Sequence, residues 1–134
     1  MKISEVLYQN NLRTKAIHIA SGSEIVTDAP TDNNGKGEAF SPTDLVATAL
    51  ASCMFTIMGI VAQKHKIDIT GAKATIHKIM GSNPRRIKEI IIKISLNKKI
   101  NSKNRKLLKN AALLCPVGKS LEQDIIQNIR FNYV

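Results

Sequence analysis

The chain has 134 residues, 43% of them hydrophobic, with three Phe, two Tyr and no Trp. That composition excludes a disordered polypeptide and predicts one domain, residues 1–134, around an aliphatic core. Twenty Lys and Arg against ten Asp and Glu give a net charge of +10, so the surface attracts anions. The absence of an Arg-rich tail, an aromatic RNA-binding motif or a zinc-finger spacing weighs against a nucleic-acid module. The opening MKISEVLYQNN lacks the apolar segment of a signal peptide, and a cytoplasmic location with no membrane partner is expected.

In chain order, KISEVLY at 2–8 and KAIHIA at 15–20 read as strands, the second with Ile17 and Ile19 on one face and His18 on the other. SGS at 21–23 is a turn signal and EIVTDA resumes a strand. An N-terminal antiparallel meander follows. Residues 28–41, DAPTDNNGKGEAFS, form a long loop of the kind that carries function.

A helix opens at Ser41, which serves as N-cap, with Pro42 at the first helical position and Asp44 placed to complete a capping box. The seventeen residues Leu45–Val61 are apolar except for Thr48, Ser52 and Thr56, which share one stripe at spacing four. A helix apolar nearly all round belongs in a core or an oligomer interface. In so small a domain its burial points to help from a second subunit. The helix should end near Lys64–Lys66.

AKATIHKIM at 72–80 alternates as a strand, GSNPRR at 81–86 reads as a hairpin connection, and IKEIIIKISL at 87–96 places Ile90, Ile92, Ile94 and Leu96 on one face. NSKNRKLLKNAALL at 101–114 predicts an amphipathic helix, CPVGKSLEQ at 115–123 starts another, and IRFNYV closes the chain as a strand. Strands and helices are segregated, so the fold class is α+β.

Two cysteines in a reducing compartment are more often redox-active than permanently bridged. Cys53 lies inside the apolar helix, where a thiol often merely fills space. Cys115 precedes Pro116 at a helix N-terminus, one turn before Lys119. The peptide dipoles there would favour a thiolate, so a lowered pKa is expected. The alternative is a boundary residue. One buried thiol and one at a helix end suggest a pair that closes and opens a disulfide, given Cα atoms within about 7 Å.

GKGEAFSPTDLVATALASCMFTIM at 35–58 and LCPVGKSL at 114–121, together with the element order, resemble the OsmC/Ohr family of thiol-dependent peroxidases. The resemblance implies an intertwined homodimer with its two long helices packed centrally and active sites at the interface. It implies that Cys53 is the peroxidatic nucleophile, oxidised by a hydroperoxide to a sulfenic acid, and that Cys115 resolves it as a Cys53–Cys115 disulfide. A dithiol reductant, of lipoyl type, then restores both thiols. The family's cation beside the nucleophile corresponds to Arg13 in NNLRTKA, for which the other reading is a solvated turn residue. The family's orienting glutamate, ten residues before the first cysteine, is Thr43 here. The carboxylates offered in its place are Glu38 and Asp44. Met54, Phe55 and Met58 are expected to line an apolar substrate pocket beside Cys53.

No metal or other cofactor is called for. His18, His65 and His77 are scattered and read as surface residues. Lys98, Lys99, Lys103, Arg105, Lys106 and Lys109 read as a solvated basic face, with a docking patch as the alternative. Three functions follow: an organic-hydroperoxide peroxidase in oxidative stress defence; a redox-switched binding or sensor protein that docks a partner on its basic face; and a domain whose cysteines are structural.

Overall fold

In the computed structural model, which describes residues 1–134, the backbone gathers into two units, Met1–Val46 and Ala47–Val134. The first holds the meander: β1 (Ser4–Asn10), β2 (Arg13–His18) and β3 (Glu24–Asp28), antiparallel in the order β1-β2-β3. The second strand starts and stops two residues earlier than the alternation predicts. The reason lies at the turn, where the Ser23 carbonyl accepts from His18 N–H at 2.8 Å and the His18 carbonyl accepts from Gly22 N–H at 2.8 Å. These bonds close the chain before Ile19. The shifted register makes Arg13 the cross-strand partner of Asp28.

The loop after β3 folds back on that strand's end. Gly35 and Gly37 both pack against Ala29, whose carbonyl accepts from Gly37 N–H at 3.1 Å. At Gly35 an added Cβ would sit 1.8 Å from the Ala29 oxygen, so no side chain is tolerated. The long helix α1 (Pro42–Lys64) then begins as its capping box predicts. Ser41 Oγ accepts from Asp44 N–H at 3.0 Å, and Asp44 Oδ2 accepts from Ser41 N–H at 2.9 Å.

The second unit contains most of α1, β4 (Lys73–Gly81), β5 (Arg86–Leu96), α2 (Ser102–Ala112), α3 (Pro116–Ser120) and β6 (Ile126–Tyr133). β4 and β5 form the expected hairpin, with a bulge between Ile79 and Met80 that shifts the pleat. Ile90, Ile92, Ile94 and Leu96 are buried on one face of β5, as the alternation predicts. β6 pairs with β5 in parallel, because the crossover through α2 and α3 returns it in the same direction. α2 is capped by Asn101, whose side chain accepts from Asn104 N–H at 2.9 Å. Its position is locked by Arg105, which donates to the carbonyls of Ile100 at 2.7 Å and Lys98 at 2.6 Å and stacks 4.0 Å above the Tyr133 ring. Strands and helices are segregated as the α+β reading expects.

The sequence overstates how far the protomer buries α1. Its buried residues are Ala47, Leu50, Ala51, Met54, Met58 and Ala62, a single stripe at helical spacing. By length and composition the helix could cross a membrane, and one third of its most apolar window is buried within the chain. Its apolar circumference exceeds what one protomer covers.

Candidate active site

The two thiols sit in the second unit, free and unbridged, and Cys53 is only partly covered whereas Cys115 is buried. This reverses the expectation that Cys53 is the hidden one. Cys53 lies on α1 beside the buried stripe, flanked by exposed Ser52 and buried Met54. Cys115 is the N-cap of α3, in extended backbone with Pro116 at the next position. Its Sγ accepts from Gly118 N–H at 3.4 Å, the capping contact the sequence predicts.

The expected acidity does not follow. Burial pushes the Cys115 thiol above its ordinary pKa, and although the Gly118 N–H pulls the other way, the neighbouring Cys53 thiol raises it further. α3 is five residues long, so its dipole is short, and desolvation of a sulfur 1% exposed outweighs it.

In the first unit a different cluster forms around Arg13. Its Nε donates to Asp28 Oδ1 and its Nη2 to Asp28 Oδ2, both at 2.7 Å. Asp28 is 1% exposed. Asp28 Oδ2 also accepts from Glu38 N–H at 3.2 Å, and the Glu38 carboxylate stands 3.7 Å from Arg13 Nη2. The Arg13 hydrogen bonds hold the Asp28 carboxyl below the usual carboxylate range, and the same contact raises Arg13. Thr43 lies at the start of α1, its hydroxyl 3.3 Å from Ser41 Oγ. Asp44 is engaged in the capping box. The carboxylate that grips Arg13 is thus Asp28, a residue the sequence reading left in the loop. The hairpin register was the signal for it, since the pairing of Ile17 with Glu24 brings Asp28 opposite Arg13.

Of the three side chains expected to line a pocket, Met54 and Met58 are not on the open groove that Phe55 lines. They are 1% and 0% exposed and fill the core beside Leu50, because they fall on the buried stripe of α1. Phe55 does line an open groove of about 470 Å³, with Thr48, Ser52 and Thr56 on α1 and Ala74 and Ile76 on β4. The polar stripe is therefore one wall of this groove. Of the six-residue basic cluster, Arg105 is turned into the fold. Lys103 and Lys106 line a second groove of about 500 Å³ with His65, Asn104, Leu107 and Asn110.

The chain is a small α+β protein with one sheet all antiparallel and one mixed, and it carries two free thiols, Cys53 and Cys115, of which the second has its pKa raised by burial and by the first. A family model described as OsmC-like protein matches residues 35–129, and the chain belongs to the OsmC family. It is 53% identical to a Psychrobacter arcticus protein provisionally described as an osmotic stress induced and detoxification response protein, with a TM-score of 0.95 over 98% of this chain and 96% of that one. An organic hydroperoxide resistance protein OsmC from Legionella pneumophila shares the fold at 16% identity, with a TM-score of 0.78 over 98% and 96%. An OsmC-like protein from Mycoplasma pneumoniae does so at 16% identity and a TM-score of 0.82, over 100% and 98%. No curated protein matches the chain.

Proposed function

We propose that the protein is a thiol-dependent peroxidase that reduces organic hydroperoxides in defence against oxidative stress in the cytoplasm. The observation that carries this reading is the pairing of two free thiols, Cys115 buried and Cys53 more accessible, near enough that Cys53 raises the Cys115 pKa. In the reaction, the Cys53 thiolate attacks the distal peroxide oxygen; the O–O bond breaks, and the alkoxide takes a proton and leaves as alcohol. Cys53 becomes a sulfenic acid. Cys115 then attacks the Cys53 sulfur. An S–S bond forms, the S–O bond breaks, and hydroxide leaves with the Cys115 proton as water. A dithiol reductant of lipoyl type reopens the disulfide by exchange and is itself oxidised.

Support comes also from neighbours of the same fold described as organic hydroperoxide resistance proteins, from Legionella pneumophila and Elizabethkingia anophelis. By family resemblance Arg13 is the cation that favours the Cys53 thiolate. Asp28, rather than a helix-start glutamate, is the carboxylate that orients it, with Glu38 behind. The groove along Phe55 offers an apolar surface for the alkyl part of a substrate. The active assembly is a homodimer, which would cover the apolar residues of β1 and the uncovered face of α1.

Thiol titration with mass spectrometry, after stoichiometric cumene hydroperoxide and separately hydrogen peroxide, tests the reading. Rapid loss of both thiols as a Cys53–Cys115 disulfide, faster with the organic peroxide and abolished in Cys53→Ser, is expected. Thiols that persist for many minutes would overturn it in favour of a redox-switched binding protein. For that second reading the groove at Lys103, Lys106 and His65 is the observation, and its mark would be salt-dependent affinity for an acidic partner.

A further inference from the structure

Gly118 is the point where three elements meet. Its N–H points at Cys115 Sγ across 3.4 Å, and its carbonyl accepts from Gln127 Nε2 on β6 at 2.9 Å. A Cβ placed on it would lie 2.9 Å from Gln127 Oε1, 3.3 Å from Cys115 Sγ and 3.3 Å from Leu50 Cδ1. Leu50 is buried on α1 one turn before Cys53. Gln127 stands on a strand whose register is fixed, paired opposite the fully buried Ile90 of β5.

α3 is too short to hold its own orientation by backbone hydrogen bonds alone. Lys119 N–H donates to the Cys115 carbonyl at 3.1 Å, and Ser120 Oγ donates to the Pro116 carbonyl at 2.8 Å. Both bonds are internal to the turn and do not tie it to the sheet. The Gln127 amide does tie it to the sheet.

We infer that Gln127 is the positioning residue of the resolving thiol: its amide clamps the Gly118 carbonyl to β6, which aims the Gly118 N–H and the Cys115 sulfur along the path toward Cys53. The inference rests on the dithiol reading of the site and deepens it. With the clamp in place, Cys115 starts its attack already seated and its emerging thiolate meets the Gly118 donor. Without it the turn swings, and closure waits for a productive geometry. A Cβ at Gly118 would press on the Gln127 amide oxygen at 2.9 Å, so Gly118→Ala should also disturb the clamp.

The test needs no peroxide. Stoichiometric dithiobis(nitrobenzoate) reacts with the reduced protein in two steps. Cys53 thiolate displaces one thionitrobenzoate and becomes a mixed disulfide. Cys115 thiolate then attacks the Cys53 sulfur, forms the protein disulfide and expels the second thionitrobenzoate with its electron pair. Stopped-flow absorbance separates the two releases. Gln127→Leu and Gln127→Glu, which both lack the donor, are expected to leave the first rate unchanged and slow the second by roughly tenfold to a hundredfold. Gly118→Ala should slow the second in the same way, and thermal unfolding of each variant should stay near that of the parent. Equal slowing of both phases, an unchanged second phase, or a parent protein with no second phase would each overturn the assignment. A parent that closes its disulfide here yet ignores hydroperoxide would refute only the peroxidase reading.

Discussion

Arg13 and Asp28 face each other across the β2–β3 ladder and share two parallel hydrogen bonds of 2.7 Å. Two donors of a rigid guanidinium fork meet both oxygens of one carboxylate, the geometry in which arginine cannot be replaced by lysine without loss. Asp28 receives in addition the Glu38 N–H. The pair thus ties the end of the meander to the loop that leads into α1.

This pair fixes an acid dependence. Asp28 is held below its ordinary pKa by the Arg13 hydrogen bonds first, with burial working against them. A group whose folded pKa is depressed contributes stability that is full above its unfolded value, about 3.9, and is lost as pH falls through the folded one. Asp28→Asn should therefore lower the thermal midpoint at neutral pH, and the gap to the parent should close below about pH 4. Thermal unfolding followed by circular dichroism across that range checks it. A gap that stays constant with pH would show that the carboxylate's charge is not what the fold uses.

The sequence made much of this legible and missed the pair for a definite reason. Capping at Ser41 and Asp44 and the isoleucine face of β5 are local or periodic signals, and each stands where composition and spacing put it. The partner of Arg13 depends on hairpin register, which a shift of the turn by one residue changes throughout. Gln127 and Gly118 were invisible for a related reason, since a parallel strand arriving after a long crossover brings together residues with no spacing rule. The acidity of Cys115 failed on magnitude: its cap geometry is as read, but burial outweighs the dipole of a five-residue helix.

The raised pKa of Cys115 gives closure its own pH profile. Burial comes first among its causes, and the neighbouring Cys53 thiol adds to it. Attack requires the thiolate, so the closure rate should climb about tenfold per pH unit from about pH 7 and keep climbing past pH 8.5, where an ordinary cysteine levels off. The second phase of thionitrobenzoate release measures it directly, because the leaving group is the same at every pH. A plateau below the ordinary value would mean that the Gly118 N–H dominates over burial.

Met58 and Phe55 set core packing against the proposed substrate contact. Met58 is fully buried and Phe55 lines the open groove. Met58→Ala should cost about 2–5 kcal/mol of stability by leaving a cavity, with little effect on the peroxide KM of the protein that remains folded. Phe55→Ala should cost less stability and raise KM for a bulky alkyl hydroperoxide more than for hydrogen peroxide, since only the former reaches an apolar wall. Chemical denaturation and steady-state kinetics on the same preparations decide. If both variants changed KM alike, the groove would not be where the alkyl group lies.

The proposed homodimer follows from apolar surface that one protomer leaves bare. Every residue of β1 is exposed, including Val6 and Tyr8 at 65% each, and Ile60 projects from α1 at 59%. An open edge strand with apolar residues, and a long helix with an uncovered face, are surfaces that a soluble protein covers or that aggregate. A second copy covers both kinds at once if the contact is self-complementary, as in most two-fold dimers. Burying an isoleucine contributes about 1.5–3 kcal/mol, so Ile60→Asp, which also buries a charge, should weaken the dimer at least about tenfold. Tyr8→Asp should do the same if β1 is part of the contact. Sedimentation equilibrium over a range of concentrations measures the constant, and the thermal midpoint should rise with protein concentration in the parent and less steeply in the variants. A parent that stays monomeric at high concentration would remove the dimer, and with it this account of why α1 is apolar on nearly every side.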